Sequence, residues 1–501
     1  MTNPPSDAGF THVERRPGAY ADSVALLQVS KDVAAVDGVR AAQVAMATPL
    51  NLDVIASMGF DLPETSPNDM VVAIRLDDES RLDAALAAVD AALAAVTRRG
   101  GSSESTEEAA RTIGTAIRRT GTALALVSVP GANATVEAMD ALDAGQDVLI
   151  FSDNVPVEQE VALKRIAGER DLLVMGPDCG TAMIDGVGLG FANTVRPGPV
   201  GIVAASGTGC QQLMCLLDHA GVGMTAALGV GGRDLSTEVG ALATRQAMRR
   251  LDADPATELI VVVSKPPADE VASELRAYAD TLGTPVHFAL LGAGQPDLTA
   301  SAETVLTTLG RSVPEWPMWG SAPEQVPAGR LRGLFAGGTL CDESMLLTSE
   351  SLGPVHSNIP LDPAYALDSS LTAEGTVMID FGDDSMTAGR AHPMIDPTIR
   401  MEHLARTAAD PSCSVILLDV VLGHGADADP AATAAPAIRE AIASAQADGR
   451  RLAVLVSCVG TADDPQVLLT QAQALADAGA EVHLSNARAT RRALTLIGAA
   501  S

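Results

Sequence analysis

Along most of the chain, short apolar runs alternate with stretches whose apolar residues recur at helical spacing. The runs are rich in Val, Ile and Leu, and each ends in a loop of small and polar residues. Runs of that length bounded by turn residues read as buried strands, and the stretches between them as helices covering a parallel sheet. Before this regime, residues 1–16 are polar and read as a disordered tail. Residues 17–98 then predict a small two-layer α/β domain, ferredoxin-like in order, with strands at 41–47 and 70–76 and an Ala-rich helix over 81–96. It holds no catalytic cluster, and a role in assembly is its expected use. Residues 98–105 are a linker by composition.

Three further α/β domains are predicted. Residues 106–197 carry a helix at 107–119 and strands at 123–129, 148–151 and 172–175, a Rossmann-like pattern. Residues 198–310 have strands at 200–203, 226–229, 259–263 and 286–290, and residues 331–501 at 334–336, 377–379, 415–418, 453–456 and 481–484. Both read as flavodoxin-like. Between them, 311–330 is an extended Pro-rich connector that holds both tryptophans, which are expected to pin it to a domain surface.

A repeated stretch says where chemistry can lie. Gly198-Pro-Val-Gly-Ile-Val-Ala-Ala-Ser-Gly-Thr-Gly-Cys210 returns, with one gap, as Gly333-Leu-Phe-Ala-Gly-Gly-Thr-Leu-Cys-Asp-Glu-Ser-Met345. Strand, glycine-rich turn, helix leaves N–H groups at the positive end of a helix, where an anion can sit; the same turn also serves merely to close a corner. Ser206, Gly207, Thr208 and Gly209, with Gly337, Gly338 and Thr339, are therefore candidate phosphate-binding residues. Gly207 and Gly338 are singled out because close backbone approach calls for glycine. Gly231, Gly232, Arg233 and Lys265 belong to neighbouring loops of the same rim, where the two cations can neutralise a dianion. Ligands of such sheets sit at the carboxyl ends of strands, which adds Pro130, Gly131, Asn133, Asp178 and Cys179 as candidate walls.

Composition narrows the class. The chain is 47% hydrophobic but 2% aromatic, so its cores are built from Ala, Val, Leu and Ile. A net charge of -30, from 33 basic and 63 acidic residues, argues against nucleic acid or an anionic membrane as partner. Six scattered cysteines without a C-x-x-C pair, and no apolar leader or span, predict a reduced, cytoplasmic protein and no metal site.

Gly176-Pro-Asp-Cys-Gly180, Gly201-Ile-Val-Ala-Ala-Ser-Gly-Thr208 and Gly229-Val-Gly-Gly-Arg-Asp234 resemble, in order and spacing, the α subunit of succinyl-CoA synthetase. Ile379-Asp-Phe-Gly-Asp383 and Leu418-Asp-Val-Val-Leu-Gly-His-Gly425 resemble the CoA-ligase domain of its β subunit. With Gly389-Arg-Ala-His-Pro-Met-Ile-Asp-Pro397, the whole resembles the FdrA family of acyl-CoA-synthetase-like proteins. The resemblance implies a CoA-binding-type Rossmann domain and two synthetase-type flavodoxin-like domains. It implies CoA as the cofactor to test, with Pro130, Gly131, Asn133, Asp178 and Cys179 as its pocket.

It also implies one subunit of an oxamate carbamoyltransferase of purine (allantoin) catabolism. The substrates would be carbamoyl phosphate and oxamate, and the partners other subunits of a hetero-oligomer. The alternatives are an NDP-forming acyl-CoA synthetase of the succinate–CoA ligase kind and a non-catalytic scaffold. Synthetases pass phosphate through a histidine in a Gly-His-Ala-Gly-Ala segment steadied by a glutamate. Here Gly292-Ala-Gly-Gln-Pro-Asp297 has no histidine, and Lys265 stands where the glutamate aligns.

His392, Lys265 and Arg390 are the candidate catalytic residues. His392 has two readings, acid or base beside Arg390, or a structural hydrogen bond in a long loop. His424 lacks the Ala-Gly-Ala that follows a phosphohistidine. Cys179 has no histidine neighbour in sequence. Cys210 and Cys341, at matching helix starts, are expected to pack. Asp383 and Asp384 either bind a metal or cap their loop.

Overall fold

The computed structural model describes residues 10–498 apart from 20, 22, 67–68, 101–109, 325, 328 and 388–389. It forms two compact units, the first holding the chain to residue 109 together with Arg390 and Ala391, the second the remainder.

In the first unit the order is β1 (Phe10–Pro17), α1 (Ser23–Ala34), β2 (Val39–Met46), α2 (Pro49–Ser57), β3 (Asp69–Leu76) and α3 (Leu82–Gly100). The strands form an antiparallel sheet in the order β1-β3-β2. Central β3 alternates its side chains as a strand must. Val72 and Ile74 pack with Leu26, Val29 and Val33 of α1 and Ala85 and Val89 of α3. Val71 and Ala73 pack with Ile55 of α2 and with Phe60. This corrects three expectations. Part of the supposed tail is an edge strand, the unit has a helix on both faces rather than two layers, and α3 runs into the supposed linker. The polar residues of β1 hid it: Arg16 pairs with Glu14 and with Asp90 of α3, and Arg15 with Asp69.

The second unit opens with α4 (Ile113–Thr120), β4 (Leu124–Val127), α5 (Gly131–Asp143), β5 (Asp147–Ile150), α6 (Val157–Glu169) and β6 (Val174–Met175). Their three strands are parallel, in the order β4-β5-β6. Of the helix expected over 107–119, residues 107–109 lie outside the described residues, and α4 starts at Ile113. Gly131 is the first residue of α5 and not a loop residue; a Cβ there would meet Asp153 O at 2.2 Å, so glycine lets two chain segments touch.

The hairpin β7 (Thr181–Ile184) and β8 (Val187–Gly190) was not predicted. It joins β9 (Pro197–Ala205), β10 (Met224–Gly229), β11 (Leu259–Ser264) and β12 (Val286–Leu290) in the order β12-β11-β9-β10-β7-β8. The helices of this first module are α7 (Gly207–His219), α8 (Leu242–Ala253), α9 (Asp269–Ala279) and α10 (Leu298–Thr308).

The second module has seven strands: β13 (Met318–Trp319), β14 (Arg330–Phe335), β15 (Val355–His356), β16 (Thr376–Asp380), β17 (Cys413–Val421), β18 (Ala453–Val459) and β19 (Glu481–His483). They lie in the order β13-β19-β18-β17-β14-β16-β15, parallel except β13. Its helices are α11 (Gly338–Leu352), α12 (Asp384–Thr387), α13 (Thr398–Ala409), α14 (Pro430–Ala447), α15 (Leu468–Asp477) and α16 (Asn486–Leu496). The Pro-rich connector thus supplies an edge strand. Trp316 is buried and donates to Glu303 at 2.8 Å.

One apolar core runs through both modules, from Leu213, Leu216 and Leu217 of α7 to Leu340 and Met345 of α11. Polar side chains stitch it. Asn486 Nδ2 donates to Leu340 O and to Glu343 Oε2, and its backbone N–H donates to Gln212. Lys164 of α6, wholly buried, ties the three-stranded layer to the first module by donating to Glu160 at 2.6 Å, Asp234 at 2.8 Å and Val230 O at 2.9 Å. Removing one member of a buried charge network strands the others. Lys164→Met is therefore expected to cost about 3–5 kcal/mol, read as a lowered urea midpoint with an unchanged slope.

Candidate functional site

The path of the chain marks a place for a ligand in the first module. In the first module β9 lies between β10 and β11, and the chain steps to β10 and then crosses back to β11. At such a reversal the loops diverge at the carboxyl ends of the strands. Ala205 pairs with Ser264, so Ser206 and Lys265 leave neighbouring strands side by side. The N-terminus of α11, from the second module, closes over them. Ser206 Oγ lies 2.7 Å from Thr339 Oγ1 and also accepts from Gly209 N at 3.0 Å. A Cβ on Gly337 would meet the Thr208 side chain at 2.8 Å. The two predicted anion loops are thus one junction, where the first turns of α7 and α11 meet.

Carboxylates crowd this junction. Asp419 of β17 accepts from Ala336 N and Gly337 N, each at 2.8 Å, and is held by Arg400 at 2.6 Å. Asp380, at the end of β16, accepts from Gly382 N at 2.9 Å through Oδ1. A Cβ on Gly338 would lie 2.7 Å from Asp380 Oδ2 and 2.9 Å from Lys265 Nζ, so glycine lets both charged groups rest on the first turn of α11. Asp342, buried in that turn, reaches Lys265 at 3.8 Å. Asp178 opens on the mouth of the crevice, though protein surrounds it on most sides, and its backbone is left-handed (φ 57°).

These neighbours set the proton affinities. Burial pushes Asp342 up to about 6 against the pull of Lys265. Burial likewise raises Asp380 to about 7, again opposed by Lys265. Burial and then the charge of Asp384 lift Asp178 to about 7. Burial works against the Lys265 ammonium, but Asp342, Asp380 and Asp178 together hold its pKa above the usual value. Lys265 is therefore not a bare cation awaiting a dianion; it sits among carboxyls that exchange protons near neutrality.

The other predicted residues fall in different places. Arg233 lies on the same rim but is engaged, donating to Val155 O at 2.7 Å and pairing with Glu160 at 2.9 Å. Gly231 has φ 90° and would meet Pro177 O at 2.3 Å if it bore a Cβ, which makes it a packing glycine; a Cβ on Gly232 would lie 3.6 Å from Asp178 Oδ2. A Cβ on Gly207 would make only ordinary contact, with Thr181 Oγ1 at 3.4 Å, so close approach does not account for glycine there. Burial lowers His392 to about 4, with Arg400 adding to it, and its Nδ1 accepts from Met394 N at 3.2 Å. It is a neutral imidazole carrying its proton on Nε2, beside Gly382, and not a base at neutral pH. Arg390 is exposed and belongs to the first unit.

Pro130 and Asn133 are exposed at the start of α5, and burial pushes the Cys179 thiol up to about 12, an inert side chain. The thiols of Cys210 and Cys341 are likewise raised by burial. Asp383 caps α12 through Ser385 N at 3.0 Å, and no group of metal-binding side chains occurs among the described residues. No helix among them is long and apolar enough to cross a membrane. Sequence reasoning missed Asp342 and Asp380 as site residues. The available signal was an aspartate at a strand's carboxyl end and another one turn into a glycine-capped helix.

Comparisons with known proteins agree with this architecture. Residues 8–110 match the family model described as AllF, heavy metal-associated domain, a stretch that here contains no cysteine. Residues 334–496 match the CoA-ligase model. The chain is 28% identical over 154 residues to the α-2 subunit of the ADP-forming succinate–CoA ligase of Trichomonas vaginalis (30% of this chain, 48% of that one). The corresponding α subunit of Aquifex aeolicus is also 28% identical, over 160 residues (31% and 51%). The chain thus spans about half the length of these α subunits. Among solved structures, a dinucleotide-forming acetyl-coenzyme A synthetase 1 of Ca. Korarchaeum cryptofilum aligns at 16% identity, covering 79% of this chain and 89% of that one, with a TM-score of 0.31. The protein is acyl-CoA synthetase-like. It belongs to the family of YahF of Escherichia coli (strain K12), an uncharacterized protein to which it is 39% identical over 488 residues, 93% of this chain and 94% of that one.

The raised Asp342 carries a stability signature. Between its unfolded value of 3.8 and about 6, the folded chain keeps a proton that the unfolded chain has released, so stability falls as pH rises through that window. An amide keeps the shape and removes the charge. Asp342→Asn is expected to stabilise the protein at pH 8 by about 1–3 kcal/mol and by less at pH 5, measured by urea unfolding at both pH values.

Proposed function

We propose that this protein handles a small acyl phosphate at the junction of α7 and α11. The observation that carries this reading is the meeting of two helix N-termini beside Lys265 at a sheet's reversal point. Helix N-termini favour anionic oxygens, and an ammonium adds a charge-assisted hydrogen bond. A phosphate clamped there becomes a good leaving group, while the acyl carbon is presented to a nucleophile in the crevice.

Two reactions fit. In the first, the acyl group is a carbamoyl group passed to the amide of oxamate, and this chain is one subunit of a carbamoyltransferase. The loop following β12, Gly292 to Asp297, supports it by lacking a histidine to carry phosphate. In the second, the protein is an acyl-CoA synthetase of the succinate–CoA ligase kind, and the CoA-ligase match supports that version. His392, beside Gly382, is half-buried and its Nδ1 is engaged, which weighs against a displaced phosphohistidine.

The deciding assay uses the full chain, alone and with co-purifying partner subunits. It compares carbamoyl phosphate plus oxamate with succinate plus CoA and ATP. Product only in the first mixture supports carbamoyl transfer; nucleotide-dependent thioester only in the second supports ligation; neither, with every partner present, sinks both and leaves a scaffold.

Binding is testable separately. A net charge-assisted bond contributes about 1.5–3 kcal/mol, so Lys265→Met is expected to weaken acetyl phosphate or inorganic phosphate roughly ten- to a hundredfold in titration calorimetry. Gly338→Ala should do the same by wedging a methyl between Asp380 and Lys265, whereas Gly207→Ala should bind as the parent does.

A further inference from the structure

We propose that the junction takes up its anion together with protons, Asp342 and Asp380 entering the complex as neutral carboxylic acids that donate hydrogen bonds to the bound oxyanion beside Lys265. This rests on the reading that an anion binds there, and it names the form in which the site accepts one.

The geometry asks for it. Asp342 is 6% exposed and, among the described residues, has no hydrogen-bond donor; its one polar neighbour is Lys265 at 3.8 Å. Asp380 is 3% exposed and spends Oδ1 on Gly382 N, which leaves Oδ2 against the first turn of α11. Both carboxyls occupy the positive helix end and the ammonium that an incoming anion needs. Asp380 Oδ1 is held by Gly382 N at the end of β16, and Asp342 lies buried on α11.

The surrounding charges cannot absorb a further anion. Asp178 from the loop after β6, Asp153 from the loop after β5 and Asp384 of α12 add negative charge around Lys265 and Arg233. Arg233 is tied to Glu160, and Arg400 of α13 to Asp419 of β17. His392 is neutral, and the Cys341 thiol of α11 stays protonated. Like charges at such distances exclude one another unless one takes a proton. Protonation turns each carboxyl from a competitor into a donor, in the way neutral acids serve as hydrogen-bond donors in apolar sites. Raised proton affinities, about 6 for Asp342 and about 7 for Asp380, make that form accessible near neutrality.

The test uses inorganic sulfate, a dianion that does not itself titrate near neutral pH, with inorganic phosphate alongside. Titration calorimetry of the full chain from pH 6 to pH 8.5, in two buffers of different ionisation heat, gives affinity and protons taken up. Sulfate affinity is expected to fall at least tenfold between pH 6 and pH 8, with between one and two protons taken up per sulfate around pH 7.5. The double variant Asp342→Asn, Asp380→Asn is expected to bind sulfate with a flat pH profile and no uptake. Should the double variant misfold, Asp342→Asn alone is expected to reduce the uptake. Sulfate binding by the parent without proton uptake overturns this inference and leaves the acyl phosphate reading standing. Uptake abolished by Asp178→Asn but untouched by the Asn pair overturns the assignment. Failure of sulfate and phosphate to bind at any pH overturns both.

Discussion

Two buried helices that meet at their N-termini impose the constraint around which the site is built. Each first turn presents N–H groups and a partial positive charge, so bringing α7 and α11 together calls for negative charge at the contact. The protein supplies it from two strand ends and one helix start: Asp419 on the N–H groups of Ala336 and Gly337, Asp380 against Gly338, and Asp342 inside α11. Hydroxyls complete the seam through Ser206 and Thr339. The glycines at 337 and 338 keep the two backbones, Thr208 and the Lys265–Asp380 pair within contact distance.

That arrangement explains why Lys265 stays charged while its neighbours do not all do so. Burial taxes the charges of Asp342 and Asp380, and one ammonium cannot keep every neighbouring carboxylate ionised. The cluster settles by holding the proton affinities of Asp342, Asp380 and Asp178 up near neutrality and that of Lys265 above its usual value. A site of this kind accepts or gives up protons when a ligand arrives, which suits acyl-phosphate chemistry, where charge moves between acyl group, phosphate and nucleophile.

The resemblance to succinyl-CoA synthetase implies a phosphohistidine relay, and this chain lacks its residues in specific places. The loop from Gly292 to Asp297 has no histidine, and Lys265 stands where the resemblance places a carboxylate. The carboxyl groups beside Lys265 come from the other module, on β16 and α11. Charge of both signs is therefore still present at the junction, but shared differently between the two halves.

Strands and most helices were legible in the chain because their determinants are local. Val200–Ala205 and Leu259–Ser264 are apolar on both faces and bounded by glycine and proline, and the α7 stripe of Leu213, Leu216 and Leu217 repeats at helical spacing. The glycine-rich turns at Ser206 and Gly337 were legible for the same reason. Elements held by partners distant in sequence were not. Polar β1 is a strand because β3 pairs with it, and β13 because β19 does. The meeting of the two turns, and with it the pairing of Lys265 with Asp342 and Asp380, arises only when two sheets pack. No local pattern encodes which strand ends converge, and proton affinities depend on burial and on charges brought from other elements. The sequence by itself therefore determined the modules and the loops able to bear a site; the tertiary structure decided that two such loops make one site and that carboxyls share it with the lysine.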